Sequence, residues 1–191
     1  MERRFIEYIS SFTTLSKEEE ELMLESYPIK QFRKGDCVLE EGTITQDTFL
    51  ILEGCIRRHC TVDGVDKTTG FFTEGEAVAE FESLSFNKPT THSYSCVEDT
   101  VAVVVNSEKE KAFYKRFPRF EELARMETEK MLGKNQEQLS NFITKSPEER
   151  YKHLLTNKPE LLQRVPQHQI ASYLGVTPES LSRIRKRISK K

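Results

Sequence analysis

Between Gln167 and Ile184 the chain reads QHQIASYLGVTPESLSRI, and the spacing of small, apolar and turn-forming residues in this stretch constrains the fold more than any other feature. Two helices that cross steeply must approach closely, which favours a small residue at the contact, here Ala171. The turn between them needs a left-handed backbone, which Gly175 adopts without steric cost. Ile170, Leu174, Val176, Leu181 and Ile184 then fall where the two helices face each other. Thr177 followed by Pro178 caps the second helix and presets its first turn. The stretch predicts a helix-turn-helix. An ordinary helical hairpin with a solvated basic face is the bland alternative, and the spacing and charge together weigh against it.

On the second helix Leu181, Ile184 and Ile188 form an apolar stripe, while Glu179, Arg183, Lys186 and Arg187 project from the opposite face. If this helix enters a major groove, Arg183 donates to a guanine edge and Glu179 accepts from a cytosine amino group. Lys186, Arg187, Lys190 and Lys191 then chiefly meet phosphates, giving affinity and salt dependence rather than sequence choice. Gln167, Thr177, Ser180 and Ser182 complete the predicted DNA-binding set, with His168 near the start of the first helix, within reach of a phosphate. Charge distribution agrees. From residue 146 onward ten Lys and Arg stand against four Glu, a net of +6, whereas residues 1–145 carry 19 against 27, a net of −8. A basic segment behind an acidic one suits a polyanionic partner.

The first half has a different texture. Glycines beside acidic residues, as in Lys34-Gly35-Asp36, Glu41-Gly42 and Asp63-Gly64, mark turns between short β-prone runs at 29–32, 37–39, 48–52, 56–62, 68–72, 93–97 and 101–105. Such punctuation predicts a β-roll or barrel. Ser16 opens a capped helix expected to pack on it. After Val105 the strand signals stop, and residues 119–143 form a candidate long helix with apolar positions Phe120, Leu123, Ala124, Met131, Leu132, Leu139 and Phe142. Its seven-residue spacings suit a parallel contact with a second copy, although Glu127, Asn135 and Gln138 interrupt the seam; packing on its own domain is the alternative. Ser146-Pro147-Glu148-Glu149 starts a further helix with a capping box. The expected domains are 1–118, 119–144 and 145–191.

This order of parts, with the 167–188 motif, resembles the Crp/Fnr family of bacterial transcription regulators over essentially the whole chain. The resemblance implies an α+β fold: an N-terminal cyclic-nucleotide-binding-like double-stranded β-roll with flanking helices, a long connecting dimerisation helix, and a C-terminal winged helix-turn-helix. It also implies a homodimer on double-stranded DNA at an inverted repeat, with RNA polymerase as a further partner. The family's recognition helix carries an Arg-Glu pair and a further Arg; here Glu179 and Arg183 carry over, and Pro178 replaces a residue that often reads a base.

The effector half departs further from the family. Members that bind cyclic nucleotide share Phe-Gly-Glu-Leu, followed about ten residues after the Glu by Arg-Ser or Arg-Thr. Here Val78-Ala79-Glu80-Phe81 and Thr90-Thr91 hold these places, so Glu80 and Thr91 remain while Ala79 replaces the glycine and Thr90 the arginine. The resemblance makes Gly75, Ala79, Glu80, Phe81, Thr90 and Thr91 the effector-pocket candidates. Without the guanidinium that pairs with the cyclic phosphate, cyclic AMP is not an expected ligand, and the reading is a different small-molecule effector or none. Lys88 compensates only if its side chain folds inward. No cofactor is expected.

Cys37, Cys55, Cys60 and Cys96 lie in the strand-forming stretches without the spacing of an iron-sulfur site and are read as buried reduced thiols. The four histidines show no metal-ligand spacing. No phosphate-binding loop, nucleophile elbow or zinc-protease motif gives an enzymatic reading residues to rest on. The longest apolar run, Val101 to Val105, is far short of the roughly 20 residues that span a bilayer. Glu7 breaks what would be a signal peptide's apolar core, so a cytoplasmic location is expected. The competing function is a small-molecule-sensing regulatory module whose C-terminal domain contacts protein rather than DNA.

Overall fold

Helix starts follow their capping residues. The Ser16 hydroxyl accepts from the Glu19 N–H at 3.3 Å while Glu19 accepts from the Ser16 N–H at 2.8 Å, and Ser146 with Glu149 repeats the device at the same two distances. The computed structural model describes residues 1–189; Lys190 and Lys191, expected at phosphates, lie outside the described residues. The order is α1 (Glu2–Ser10), α2 (Lys17–Ser26), β1 (Ile29–Phe32), β2 (Cys37–Leu39), β3 (Asp47–Glu53), β4 (Ile56–Val62), β5 (Val65–Phe72), β6 (Ala77–Val78), α3 (Phe81–Phe86), β7 (Ser93–Cys96) and β8 (Thr100–Asn106). Then come α4 (Ser107–Arg116), α5 (Arg119–Thr144), α6 (Pro147–Asn157), α7 (Leu161–Arg164), α8 (Gln167–Tyr173) and α9 (Pro178–Ile188).

The strands form two four-stranded sheets, β1-β8-β3-β6 and β2-β7-β4-β5. The period-2 alternation of side chains decides what each face does. Phe49 and Ile51 of β3, with Ala102 and Val104 of β8, join Ile56, Tyr94 and Cys96 of the other sheet in one core. Leu50 and Val103 point the other way and bury Phe5, Met23, Tyr27, Phe113 and Phe120 from α1, α2, α4 and the start of α5. The capped helix at Ser16 therefore packs on the β unit, as its sequence predicts. Arg119 fixes the start of α5: its guanidinium donates to both Glu19 carboxylate oxygens at 3.1 and 2.7 Å, to Thr13 Oγ1 at 2.7 Å and to the Thr14 carbonyl at 2.8 Å.

The chain divides into two compact units. One holds Met1–Cys60 with Gly70–Leu123; the other holds the hairpin tip Thr61–Thr69 and the chain from Ala124 onward. Within the second, the Thr68 N–H donates to the Ser172 hydroxyl of α8 at 2.9 Å. Its buried side chains include Tyr151 and Leu154 of α6, Leu161 of α7, Ile170 and Ala171 of α8, and Leu181 and Ile184 of α9.

Three expectations need correction. The resemblance implied a wing, but among the described residues no strand follows β8. Cys37 is exposed rather than buried, because it lies on the outer side of a short strand, and Cys60 is only half-buried; Cys55 and Cys96 are buried, and Cys55 falls in the turn before β4. All four thiols are free. The observed strands also run past several expected limits, with β5 beginning at Val65 because the tight turn at Asp63-Gly64, both at positive φ, lets pairing start at once.

Candidate functional site

The turn between α8 and α9 takes the backbone expected of it. Gly175 has φ +68°, and a Cβ there would lie 3.1 Å from the Phe142 ring, so both the conformation and the close approach make a larger residue strained. Ala171 is fully buried at the helix crossing, and Leu181 and Ile184 are buried on the inner face of α9. The Thr177 hydroxyl accepts from the Ser180 N–H at 3.3 Å and caps α9.

This leaves Glu179, Ser182, Arg183 and Lys186 exposed on successive turns of one helix face. Arg183 donates to Ser180 Oγ at 3.1 Å, which lays its guanidinium along the first turn. The backbone N–H of Glu179, the Thr177 hydroxyl and the Arg183 charge hold the Glu179 carboxyl below the usual carboxylate range, so it is ionised and accepts only. Gln167 and His168 are exposed at the start of α8. Arg187 is less available than its sequence position suggests, because it pairs with Glu148 of α6 at 2.6 Å. Arg185, absent from the expected set because it flanks the apolar stripe, is exposed and adds a cation to the last turn.

Sequence reasoning also passed over Arg150. Its Nε and Nη2 donate to the Leu174 carbonyl at 3.1 and 2.8 Å, and its Nη1 to the Phe142 and Lys145 carbonyls at 2.9 and 3.0 Å. The guanidinium carbon sits 4.6 Å from the Phe142 ring centroid. One side chain thus satisfies the carbonyl ends of α5 and α8 together and holds the motif's first helix to the end of the long helix.

The effector-pocket candidates in the β-roll are dispersed in role. Thr90 is buried, and its hydroxyl bonds the Glu40 and His92 carbonyls at 3.0 and 3.2 Å, so it closes a loop and presents nothing to a ligand. Thr91 is exposed and meets His92 Nδ1 at 3.0 Å. Phe81 is 46% exposed at the start of α3. Gly75 belongs to the turn before β6, its N–H donating to the Ile51 carbonyl and its carbonyl accepting from the Tyr8 hydroxyl. Ala79 is half-buried beside Glu80. The Glu80 carboxylate accepts from the hydroxyl of the buried Tyr94. Lys88 does not fold inward; it is exposed and pairs with Glu82 at 3.1 Å.

Residues 29–117 match the cyclic nucleotide-binding domain. Among curated proteins none matches the chain in sequence. Solved structures share the fold at low identity. The c-di-GMP-responsive global regulator CLP of Xanthomonas campestris is 16% identical over 92% of each chain, with a TM-score of 0.71. FixK2 of Bradyrhizobium japonicum is 19% identical over 86% of this chain and 85% of its own, at 0.69. The catabolite activator protein of Thermus thermophilus is 21% identical over 94% of this chain and 86% of its own, at 0.57. No helix among the described residues is long and apolar enough to cross a membrane.

Proposed function

We propose that the chain is a homodimeric, sequence-specific DNA-binding transcription regulator of Crp/Fnr type, with a β-roll whose effector pocket departs from the cyclic AMP pattern. The observation that carries this reading is the capped helix α9, which buries Leu181 and Ile184 and leaves Glu179, Ser182, Arg183 and Lys186 on one exposed face. Those four side chains supply a carboxylate acceptor, a hydroxyl and two cations over the length a recognition helix lays in a major groove. The long helix α5 sets two copies about one DNA turn apart, so the operator is an inverted repeat.

Salt dependence separates this from a module that contacts protein. With Arg185 and Lys186 of each of two copies at phosphates, and about −0.9 per neutralised phosphate, log K for a random duplex falls against log salt with a slope of about −4. Fluorescence anisotropy across a salt series reads that slope. A protein-contacting module gives no measurable duplex affinity at low salt.

A further inference from the structure

Asn135 interrupts an otherwise apolar stripe on the long helix. Within the second compact unit α5 carries Leu132, Leu139 and Phe142, which are 57%, 62% and 49% exposed. Asn135 stands three residues after Leu132 and four before Leu139, so it occupies the missing place in the three-four alternation that runs on to Phe142. Among those four positions it alone is polar. At about 100° per residue, Gln138 lies about 100° round the helix from Leu139 and Glu127 about 140° from Leu132, so neither belongs to the stripe. Asn135 is exposed in the single chain. Its amide offers two donors and an acceptor, and the group that complements it fully is a second amide in the reverse order, which a two-fold axis supplies. The helix surface does not oppose such a meeting. From Ala124 to Thr144, Arg125, Lys130 and Lys134 balance Glu127, Glu129 and Glu137, so two identical helices approach without net repulsion.

We propose that Asn135 fixes the register and copy number of the pairing through α5, and thereby the half-site spacing that the dimer accepts. This rests on reading α5 as the contact between copies. In a parallel, in-register pair each stripe position faces its own counterpart, so the two Asn135 amides meet across the axis and exchange hydrogen bonds. Sliding one helix by a heptad, about 10 Å, sets Asn135 against the Phe142 position of the second copy and shuts its amide into an apolar contact. An antiparallel pair sets it against a leucine, with the same loss. A single polar side chain in an apolar seam thus weakens association and narrows it to one arrangement. Residues 124–144 and α9 belong to one compact unit, so the register of α5 carries through to the separation of the two α9 helices.

The test uses the full-length protein with Asn135→Leu and, as a control, Ser140→Leu, which places the same side chain about 100° off Leu139 on the solvent side. Sedimentation velocity over a concentration series reads association and copy number without DNA, so this arm stands whether or not α9 reads a sequence. Wild type is expected to give monomer and dimer only. Asn135→Leu is expected to lower the dissociation constant at least tenfold and to add species larger than a dimer, while Ser140→Leu behaves as wild type. On duplexes carrying the selected inverted repeat with zero to three base pairs inserted between half-sites, Asn135→Leu is expected to discriminate between spacings at least fivefold less than wild type, although it associates more tightly. A merely structural role moves association and discrimination together. Circular dichroism establishes that both variants keep the wild-type helix content. Asn135→Leu that stays strictly dimeric with the wild-type spacing preference, or that associates more weakly, overturns the assignment and leaves α5 the contact. Ser140→Leu matching Asn135→Leu in both readings overturns it as well. Wild type that remains monomeric at every concentration overturns both the assignment and the reading of α5.

Discussion

Arg183→Ala is expected to weaken binding to the selected operator by about 1–3 kcal/mol, roughly 5- to 150-fold, and to relax the choice of base at one position of each half-site. The side chain is exposed on α9, and its contact with Ser180 Oγ at 3.1 Å is a single surface hydrogen bond that an approaching guanine edge outcompetes with two. Its removal leaves Leu181, Ile184 and the Thr177 cap intact, so the melting temperature stays within a degree or two of wild type. Anisotropy titrations on operators substituted one pair at a time separate the two ways an arginine can serve. Loss confined to one base pair marks base contact. Equal weakening on every sequence, with the salt slope reduced by about two for the pair of copies, marks a phosphate contact and moves the specificity to Glu179 and Ser182.

The second large effect is expected on α5. Leu132 and Leu139, one heptad apart, are 57% and 62% exposed in the single chain, and Ile143 one turn on is 73% exposed. Covering a leucine stabilises by about 1.5–3 kcal/mol when its whole side chain is removed from water, so two half-exposed leucines in each of two copies contribute several kcal/mol to association. Leu132→Asp with Leu139→Asp replaces that gain with buried carboxylates facing each other across the seam. The dimer dissociation constant is expected to rise at least a hundredfold, with sedimentation velocity showing monomer at micromolar protein and affinity for the inverted repeat falling in parallel. Both positions face solvent in the single chain, so helix content is retained. A double variant that stays dimeric places the contact between copies elsewhere than on this face.

The C-terminal segment was the more legible part of the sequence. Gly175, Ala171, Thr177 and Pro178 each have a backbone or steric requirement that few residues meet, and together they specified the turn, the crossing and the cap found in α8 and α9. Seven of the eight strands were legible in centre because apolar alternation and glycine turns persist along residues 29–106, whereas β6 has two residues and α3 six, too short to show a period. α1 and α4 escaped notice although Phe5 and Phe113 anchor a core, because single aromatic anchors do not make a stripe. An inward arginine at 58 was readable from its alternation with Ile56, but that it meets Tyr94, whose hydroxyl donates to Glu80, depends on the register of β4 against β7, which no local pattern encodes. Arg150 likewise joins carbonyls eight and 24 residues away, a capping role defined only once three helices are packed.

The most direct measurement is selection of binding sites by the purified full-length protein from a random duplex pool, run without added ligand and in parallel with cyclic AMP. The predicted result is enrichment of one inverted repeat with half-sites about one DNA turn apart, the same in both arms and lost in Arg183→Ala. Enrichment only with cyclic AMP contradicts the reading of the roll, since Thr90 is buried in loop-closing hydrogen bonds and offers no cation to a cyclic phosphate. No enriched sequence in either arm contradicts the central claim that α9 reads DNA.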